Sequence, residues 1–325
     1  MMKKIIVKVI FAAIIILSVT FIAYFLADQH PNNAQVRWLD ITQAEKEVQK
    51  ELLGLNAPVH ERYFKWFTSA VSGDLGTYYT DKKPVNYLLF MYMADSFLLN
   101  AVAFVVAISI ALPMGVLAAT KERKWRDHII MVLTMVLTSV PSFYFGLLTI
   151  LWVARKMPGF LPISGMGDVR LIARGYPSLW SQITDIAHHM VLPVASISLV
   201  WIGTLVPYIR NAMLEVIHQD YIRTAKAKGL APYNIFFKHT LRNALLPLIS
   251  LMAMLIPTLI MSNIFVEEIF SWPGIGMLFI ESIRYGETDM MVAIVLCYAI
   301  MVILGNLIAD GLYAKADARL KGGAL

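Results

Sequence analysis

Six stretches of this chain are almost continuously apolar, at residues 5–27, 96–119, 129–154, 190–209, 245–266 and 290–312. Each approaches or exceeds the roughly 20 helical residues that cross the hydrocarbon of a bilayer. The pattern therefore predicts six transmembrane helices and an all-α membrane protein. Polar sequence collects in a few gaps, among them 28–95, the longest, and 210–244.

Between the spans, the pattern turns amphipathic. "TQAEKEVQKELLGL" reads as a helix with Thr42 as its cap, Glu45 completing a capping box and Gly54 as its stop. "PVHERYFKWFTSAVSGDLG" sets Tyr63, Trp66, Phe67 and Val71 at helical spacing, as a helix lying in the membrane interface would. A simple cap over the spans and a partner-binding surface both fit this segment.

Composition agrees with the pattern. Of 325 residues, 58% are hydrophobic and only 15% charged, with a mean hydropathy of +0.64, outside the globular range. The single cysteine, Cys297, lies inside an apolar run, which excludes an internal disulfide, and no Cys/His cluster offers a metal site. The first run follows Met1-Met2-Lys3-Lys4, like a secretory signal, yet it is longer than a signal core. "YFLADQH" also lacks a small-x-small cleavage site, so an uncleaved span is expected.

Charge sets the orientation. Lys3 and Lys4, then "KERKWRDH" with Lys121, Arg123, Lys124 and Arg126, then 210–242, then Lys315, Arg319 and Lys321 fall in alternate gaps. Glu267, Glu268, Glu281, Glu287 and Asp289 gather on the other side. Positive residues are retained in the cytoplasm, so both termini are expected there. The net charge of +6 is this bias summed, and it calls for no nucleic acid. The expected organisation is a helix at 1–27, an extracytoplasmic segment at 28–95 with short amphipathic helices, a five-helix core at 96–312 containing the loop 210–244, and a cytoplasmic tail at 313–325.

Apart from Lys8, which can snorkel, no charge lies in the middle of a span, which disfavours a proton- or ion-coupled carrier. Pro113, Pro141, Pro193, Pro207 and Pro257, with Asn100 and Asn263 as polar points, suit helices that pack together or line a wet pathway; Asn306 is a further polar point. Phosphate-loop, zinc-pair and nucleophile-elbow motifs are absent, which also disfavours an intramembrane enzyme. His188-His189 reads as a structural interfacial pair. Uphill movement would then draw on energy from another polypeptide.

The loop "DYIRTAKAKGLAPYNIFFKHTLRNALLP" writes helix, sharp turn, helix. Leu214, Ile217, Tyr221 and Ala225 share a face, Gly229 falls where a helix end needs a left-handed residue, and Pro232 restarts a pattern carrying Ile235, Phe236 and Phe237. Such a helix suits insertion into a partner's groove. A basic helix resting on anionic lipid explains the lysines and arginines equally well, but not the Gly229 and Pro232 punctuation.

These residues resemble the permeases of bacterial ABC importers, in the dipeptide/oligopeptide branch. "DYIRTAKAKGL" is similar to that branch's form of the family's loop motif, Glu-Ala-Ala, three residues, Gly. Arg223, Thr224 and Ala225 match the first three positions and Gly229 the glycine, and only Ala225 and Gly229 keep the general pattern. His239 and Arg242 replace the usual Ile and Pro, as in the peptide branch. "SGDLGTYY", "VPSFYFGLLTILW", "LPISGMG", "VLPVASISL", "VEEIFSWPGIG" and "NLIADGLYAKADARL" extend the resemblance over nearly the whole chain. "DQHPNN" departs from the turn usual after the first span.

The resemblance implies six helices of the ABC importer permease type in a bacterial inner membrane. It also implies a second homologous permease as heterodimeric partner, two ATPases that use ATP and Mg, and an extracytoplasmic substrate-binding protein; this chain itself would bind no cofactor and hydrolyse no ATP. It assigns ATPase coupling to Asp220, Tyr221, Arg223, Thr224, Ala225, Lys226, Lys228, Gly229 and Leu230. The cargo would be di- or oligopeptides, with nickel or another small solute as the alternative within the family. In the outer turn, Pro273, Gly274 and Gly276 demand a tight reversal. Phe270 and Trp272 suit the membrane interface. A gating hairpin and a compact plug both fit, with Glu267 and Glu268 pairing with Arg284 or meeting a peptide amine.

Overall fold

The structure is a computed structural model that describes residues 2–30, 56–231 and 263–322, together with 51, 54, 240, 243–244, 255 and 258–259. The helix expected from Thr42, most of the span at 245–266 with Pro257, and the restart through Pro232, Ile235, Phe236, Phe237, His239 and Arg242 lie outside the described residues. So do the side chains of Lys226, Lys315, Arg319 and Lys321.

Apart from one two-stranded hairpin, the regular elements among the described residues are helical. The chain divides into two compact units. One comprises Met1–Phe97, Ile260–Ile264 and Pro273–Leu304, the other Leu98–Leu259, Phe265–Trp272 and Gly305–Leu325.

In the first unit, α1 (Met2–Asp28) carries α2 (Val59–Val71) on its flank. α2 is the helix expected from the aromatic spacing, but its aromatic face is covered by protein. Tyr63 and Trp66 are buried while Val71 is exposed, and Tyr63 stacks edge-on against Phe21 and Tyr24. Its hydroxyl meets Thr20 Oγ1 at 2.9 Å. Arg62 grips Asp28 with both guanidinium nitrogens (2.5 and 2.6 Å), closing the helix pair by a fork geometry that a lysine cannot supply. The motif "SGDLGTYY" turns into β1 (Thr77–Tyr78), antiparallel to β2 (Lys83–Pro84), which leads into α3 (Val85–Thr120).

The second unit is built on α3 beyond Phe97, α4 (Trp125–Ser139), α5 (Ser142–Lys156), the short α6 (Val169–Arg174) and α7 (Leu179–Ile217). The run expected as one span at 129–154 is two helices, α4 and α5, bent by 92°. Pro141 is the reason. Its ring disfavours helical backbone at Val140, which is extended (φ −103°, ψ 124°), and Pro141 itself opens α5 as its N-cap. Pro193 and Pro207 instead sit inside the continuous 39-residue α7, whose long ladder absorbs the two missing N–H groups.

α3 meets α7 along a ridge of small residues, Ala103, Ala107, Ala111, Gly115 and Ala118, one per turn; the four alanines are fully buried. A Cβ on Gly115 would stand 2.7 Å from Ile209 Cβ and 3.1 Å from the Val206 carbonyl. Close backbone approach of this kind is how membrane helices gain packing energy where lipid removes the hydrophobic drive. Ser198 Oγ adds a hydrogen bond to the Ala103 carbonyl (2.9 Å).

Candidate functional site

α7 ends at Ile217, and after His218 and Gln219 a separate helix, α8 (Asp220–Ala227), begins. The break resets the helical phase. The buried pair in α8 is Ile222 and Ala225, so the expected face through Tyr221 is corrected: Tyr221 is exposed, and its hydroxyl accepts from Asn243 Nδ2 (3.1 Å). Asp220, Arg223, Thr224, Lys228, Gly229 and Leu230 are all exposed. Thr224 Oγ1 turns back onto the Asp220 carbonyl (3.0 Å), and Arg223 stands 3.8 Å from Asp220, both in solvent, a pairing of little energetic weight. Among the described residues, α8 thus buries Ile222 and Ala225 and leaves Asp220, Arg223, Thr224 and Lys228 exposed.

The end of α8 is set as the sequence predicts. Gly229 takes φ +73°, the Leu230 N–H donates to the Ala225 carbonyl (3.3 Å), and the Lys228 N–H to Thr224 (3.0 Å). The first of these is the long bond of a Schellman cap, which needs a left-handed residue at position 229. A Cβ there would meet nothing within 4 Å.

Behind α8 lies a network that sequence reading passed over as loop charge. Asp127, in the first turn of α4, is 2% exposed and accepts from Arg210 Nε (2.6 Å) and Nη2 (2.7 Å). Its Oδ2 also accepts the Arg123 N–H (2.9 Å). Arg123 is held at φ +59°. His218 Nε2 lies 3.1 Å from Glu122 Oε2. The signal available was two acids, Glu122 and Asp127, in the basic turn "KERKWRDH" and a lone arginine near the end of an apolar helix.

The turn expected on the outer face follows α9 (Ile264–Phe270) and leads into α10 (Ile275–Tyr285). α9 ends in a Schellman motif with Ser271 at φ +49°: Trp272 N–H donates to Glu267 (2.8 Å) and Ser271 N–H to Glu268 (3.2 Å). Phe270 (2% exposed) and Trp272 (0%) are packed in the second unit's core with Leu99, Ile197 and Val266. The expectation of membrane-interface aromatics is thus corrected; these rings fill protein interior. A Cβ on Gly146 would lie 2.9 Å from the Phe270 ring, and the Phe270 carbonyl accepts the Gly165 N–H (2.7 Å), tying down the "LPISGMG" loop. Glu267 is buried and Glu268 half-buried; in the first unit, Pro273 is half-buried while Gly274 and Gly276 are buried. There Ser96 Oγ accepts the Ile275 N–H (2.7 Å), capping α10 from α3.

Of the expected pathway residues, Asn100 is buried and Pro141 lies at the bend, both in the second unit; Asn263 is half-buried in the first. His188 and His189 hydrogen-bond the carbonyls of Phe160 (3.0 Å) and Asp185 (2.9 Å). Asp185 also accepts from the Tyr176 hydroxyl (2.8 Å). Burial and that bond push the Tyr176 phenol up to about 12.

Sequence reading also missed Glu287. Only 1% exposed, it lies ahead of α11 (Thr288–Gly322) and accepts from the Tyr79 N–H (3.0 Å), the Thr80 N–H (2.7 Å) and Thr80 Oγ1 (2.8 Å). The carboxylate thereby pins the hairpin of the "SGDLGTYY" motif. Burial, followed by the charges of Glu281 and Glu287, holds the Tyr78 phenol well above its usual range.

With this geometry established, the known proteins most informative for it are transport subunits. The chain is 35% identical over 310 residues to the oligopeptide transport system permease protein AppB of Bacillus subtilis, covering 94% of this chain and 95% of that one. It is 31% identical over 282 residues to the dipeptide transport system permease protein DppB of Escherichia coli K12, covering 83% of each. Among solved structures, an inward-facing MetNI methionine ABC transporter chain superposes with a TM-score of 0.53 at 18% identity, over 70% of this chain and 96% of that one, a likeness of fold. Residues 111–322, which hold α4 to α11, the Asp127–Arg210 pair and α8, match the binding-protein-dependent transport system inner membrane component, and the chain belongs to that family of ABC importer permeases.

Proposed function

We propose that this chain is the peptide-importing permease of its system: it forms half of a translocation pathway with a second, homologous permease and takes its energy from two ATPases that bind ATP and Mg. An extracytoplasmic binding protein delivers the peptide, and both termini lie in the cytoplasm. Two relatives aligned over more than four fifths of their length carry peptide-transport names, AppB and DppB, which favours di- or oligopeptides over nickel as cargo. The carrying observation is α8, an outward-facing helix held by two buried side chains and stopped by Gly229. In this reading Tyr221, Arg223, Thr224, Lys228 and Leu230 surround a docking tip, Lys226 belongs to the same coupling segment, and small Ala225 lets the helix seat closely on its own protein. ATP-driven closure of the ATPases would move α8 as a lever in a hinge or shear transition of the spans.

The test is Gly229→Asp in the reconstituted complex. Aspartate enters left-handed backbone more readily than most residues, and there is open space for its side chain, so it strains this helix end less than most substitutions would. Membrane insertion is expected to persist while ATPase co-purification and binding-protein-stimulated hydrolysis fall at least tenfold. Unchanged stimulation would return α8 to the role of a lipid-surface helix.

A further inference from the structure

We infer that the Asp127–Arg210 pair is the positioning clamp that carries motion of α8 into the membrane spans, joining α4, α7 and the turn before α4 into one mechanical body. This rests on the reading of α8 as the ATPase-coupling helix and goes beyond it to the residues that transmit the movement.

The geometry points there step by step. Along the chain, His218 and Gln219 alone separate α8 from the end of α7. Arg210 lies two turns back along α7, and its planar fork holds Asp127 by two short bonds (2.6 and 2.7 Å) with the carboxylate almost fully buried. A bidentate charged pair fixes angle as well as distance, so rotation of α7 must rotate the start of α4. Two turns further back along α7, Gly203 lies against α4, where a Cβ would come within 3.1 Å of Thr138, Leu137 and the Thr134 carbonyl. The helices are thus fastened at two heights, by a polar clasp at the end and a close backbone contact above it.

The same carboxylate reaches the preceding turn. Asp127 Oδ2 accepts the Arg123 N–H, and this holds Arg123 at φ +59°, a conformation unfavourable for a residue with a side chain. Glu122, in the same turn, meets His218 at the junction of α7 and α8. Two independent contacts therefore tie the turn at 121–124 to the α7 end that bears α8. Coupling requires such a contiguous, two-ended connection; the clamp supplies it.

The experiment uses the full complex of this chain with its co-encoded permease, ATPases and binding protein in vesicles, with a tripeptide as probe, and measures peptide moved per ATP hydrolysed. Asp127→Asn and Arg210→Gln are made singly and together, with Arg210→Lys as the variant that keeps charge and loses the fork. The ATPases are expected to co-purify within twofold of wild type. The ratio should fall at least tenfold in each single variant, no further in the double, and to an intermediate level in Arg210→Lys. A ratio within twofold of wild type in an assembled single variant overturns the inference, as does a double variant whose loss is the product of the two single losses.

Should the single variants fail to assemble, a second measurement decides with the pair intact. In a Cys297→Ala background, Glu122→Cys and His218→Cys are bridged with a short bifunctional thiol reagent. Transport retained within twofold supports a single moving body, and arrest only on bridging overturns it. Uncoupling by Gly229→Asp with a coupled Asp127→Asn defeats the clamp alone, whereas intact coupling in Gly229→Asp defeats the docking reading beneath it.

Discussion

Glu287 shows what one buried carboxylate does in this fold. Its two oxygens accept from three donors of the hairpin turn at distances of 2.7 to 3.0 Å, and each hydrogen bond to a charged group is worth about 1.5–3 kcal/mol. Glu287→Gln keeps the shape but turns one oxygen into an amide that faces donors. We expect the hairpin to open about 2 kcal/mol more easily, which is about thirtyfold faster amide exchange at Tyr79 and Thr80. Unchanged exchange at those two amides would show that the carboxylate is no anchor. Neither Glu287 nor Asp127 was legible as a site in the sequence. Each lies in a short polar gap where an acid looks like loop charge, and groups it binds are 207 and 83 residues away, beyond the reach of any local pattern. Gly229 was legible because its reason is local: a helix stop followed by a cap written within ten residues.

Helices in this chain are specified by two different codes, and only one reads easily. Hydrophobic runs announced α1, α3, α7 and α11, and the aromatic spacing announced α2, because length and periodicity are properties of one segment. The bend between α4 and α5 was hidden in an apolar run, although Pro141 carried the physical cause. The partner of α3 was hidden too, since a ridge of alanines says that something approaches closely without saying what. Gly115 gives the sharpest test of that ridge. Its substitution by alanine would put a Cβ 2.7 Å from Ile209 Cβ and 3.1 Å from a main-chain oxygen that cannot rotate away, so α3 and α7 must part. Overpacking of this kind costs about 1–3 kcal/mol. We expect Gly115→Ala to lower the thermal midpoint of the detergent-solubilised protein by several degrees. Gly311→Ala, where a Cβ meets nothing within 4 Å, should not lower it, since alanine also favours the helix over glycine. Equal effects at both positions would remove close helix approach as the explanation.

At the scale of the whole molecule, the decisive quantity is which side of the membrane carries α8, because its proposed partners hydrolyse ATP and ATP is cytoplasmic. Charge is the only directional information in a bundle of apolar helices: loops rich in lysine and arginine are retained inside as the spans insert. The turn at 121–124 and the segment that begins at Arg210 carry that bias, whereas the Glu287 region, with Glu281, Glu287 and Asp289 against Arg284, does not. The Glu122–His218 and Asp127–Arg210 contacts add a physical constraint, since they bring the first of these gaps and the approach to α8 to one end of the second unit. Both must therefore lie on the same side. Cysteines placed at exposed positions in a Cys297→Ala background test this directly. Glu61→Cys, on α2, is expected to react with a membrane-impermeant maleimide in intact cells, while Lys124→Cys and Lys228→Cys should react only after permeabilisation. Reaction of Lys124 and Lys228 variants on opposite sides would contradict the contacts themselves. Reaction of both from outside would invert the protein, leave α8 out of reach of any ATPase, and end the lever mechanism whatever the variants at Gly229 had shown.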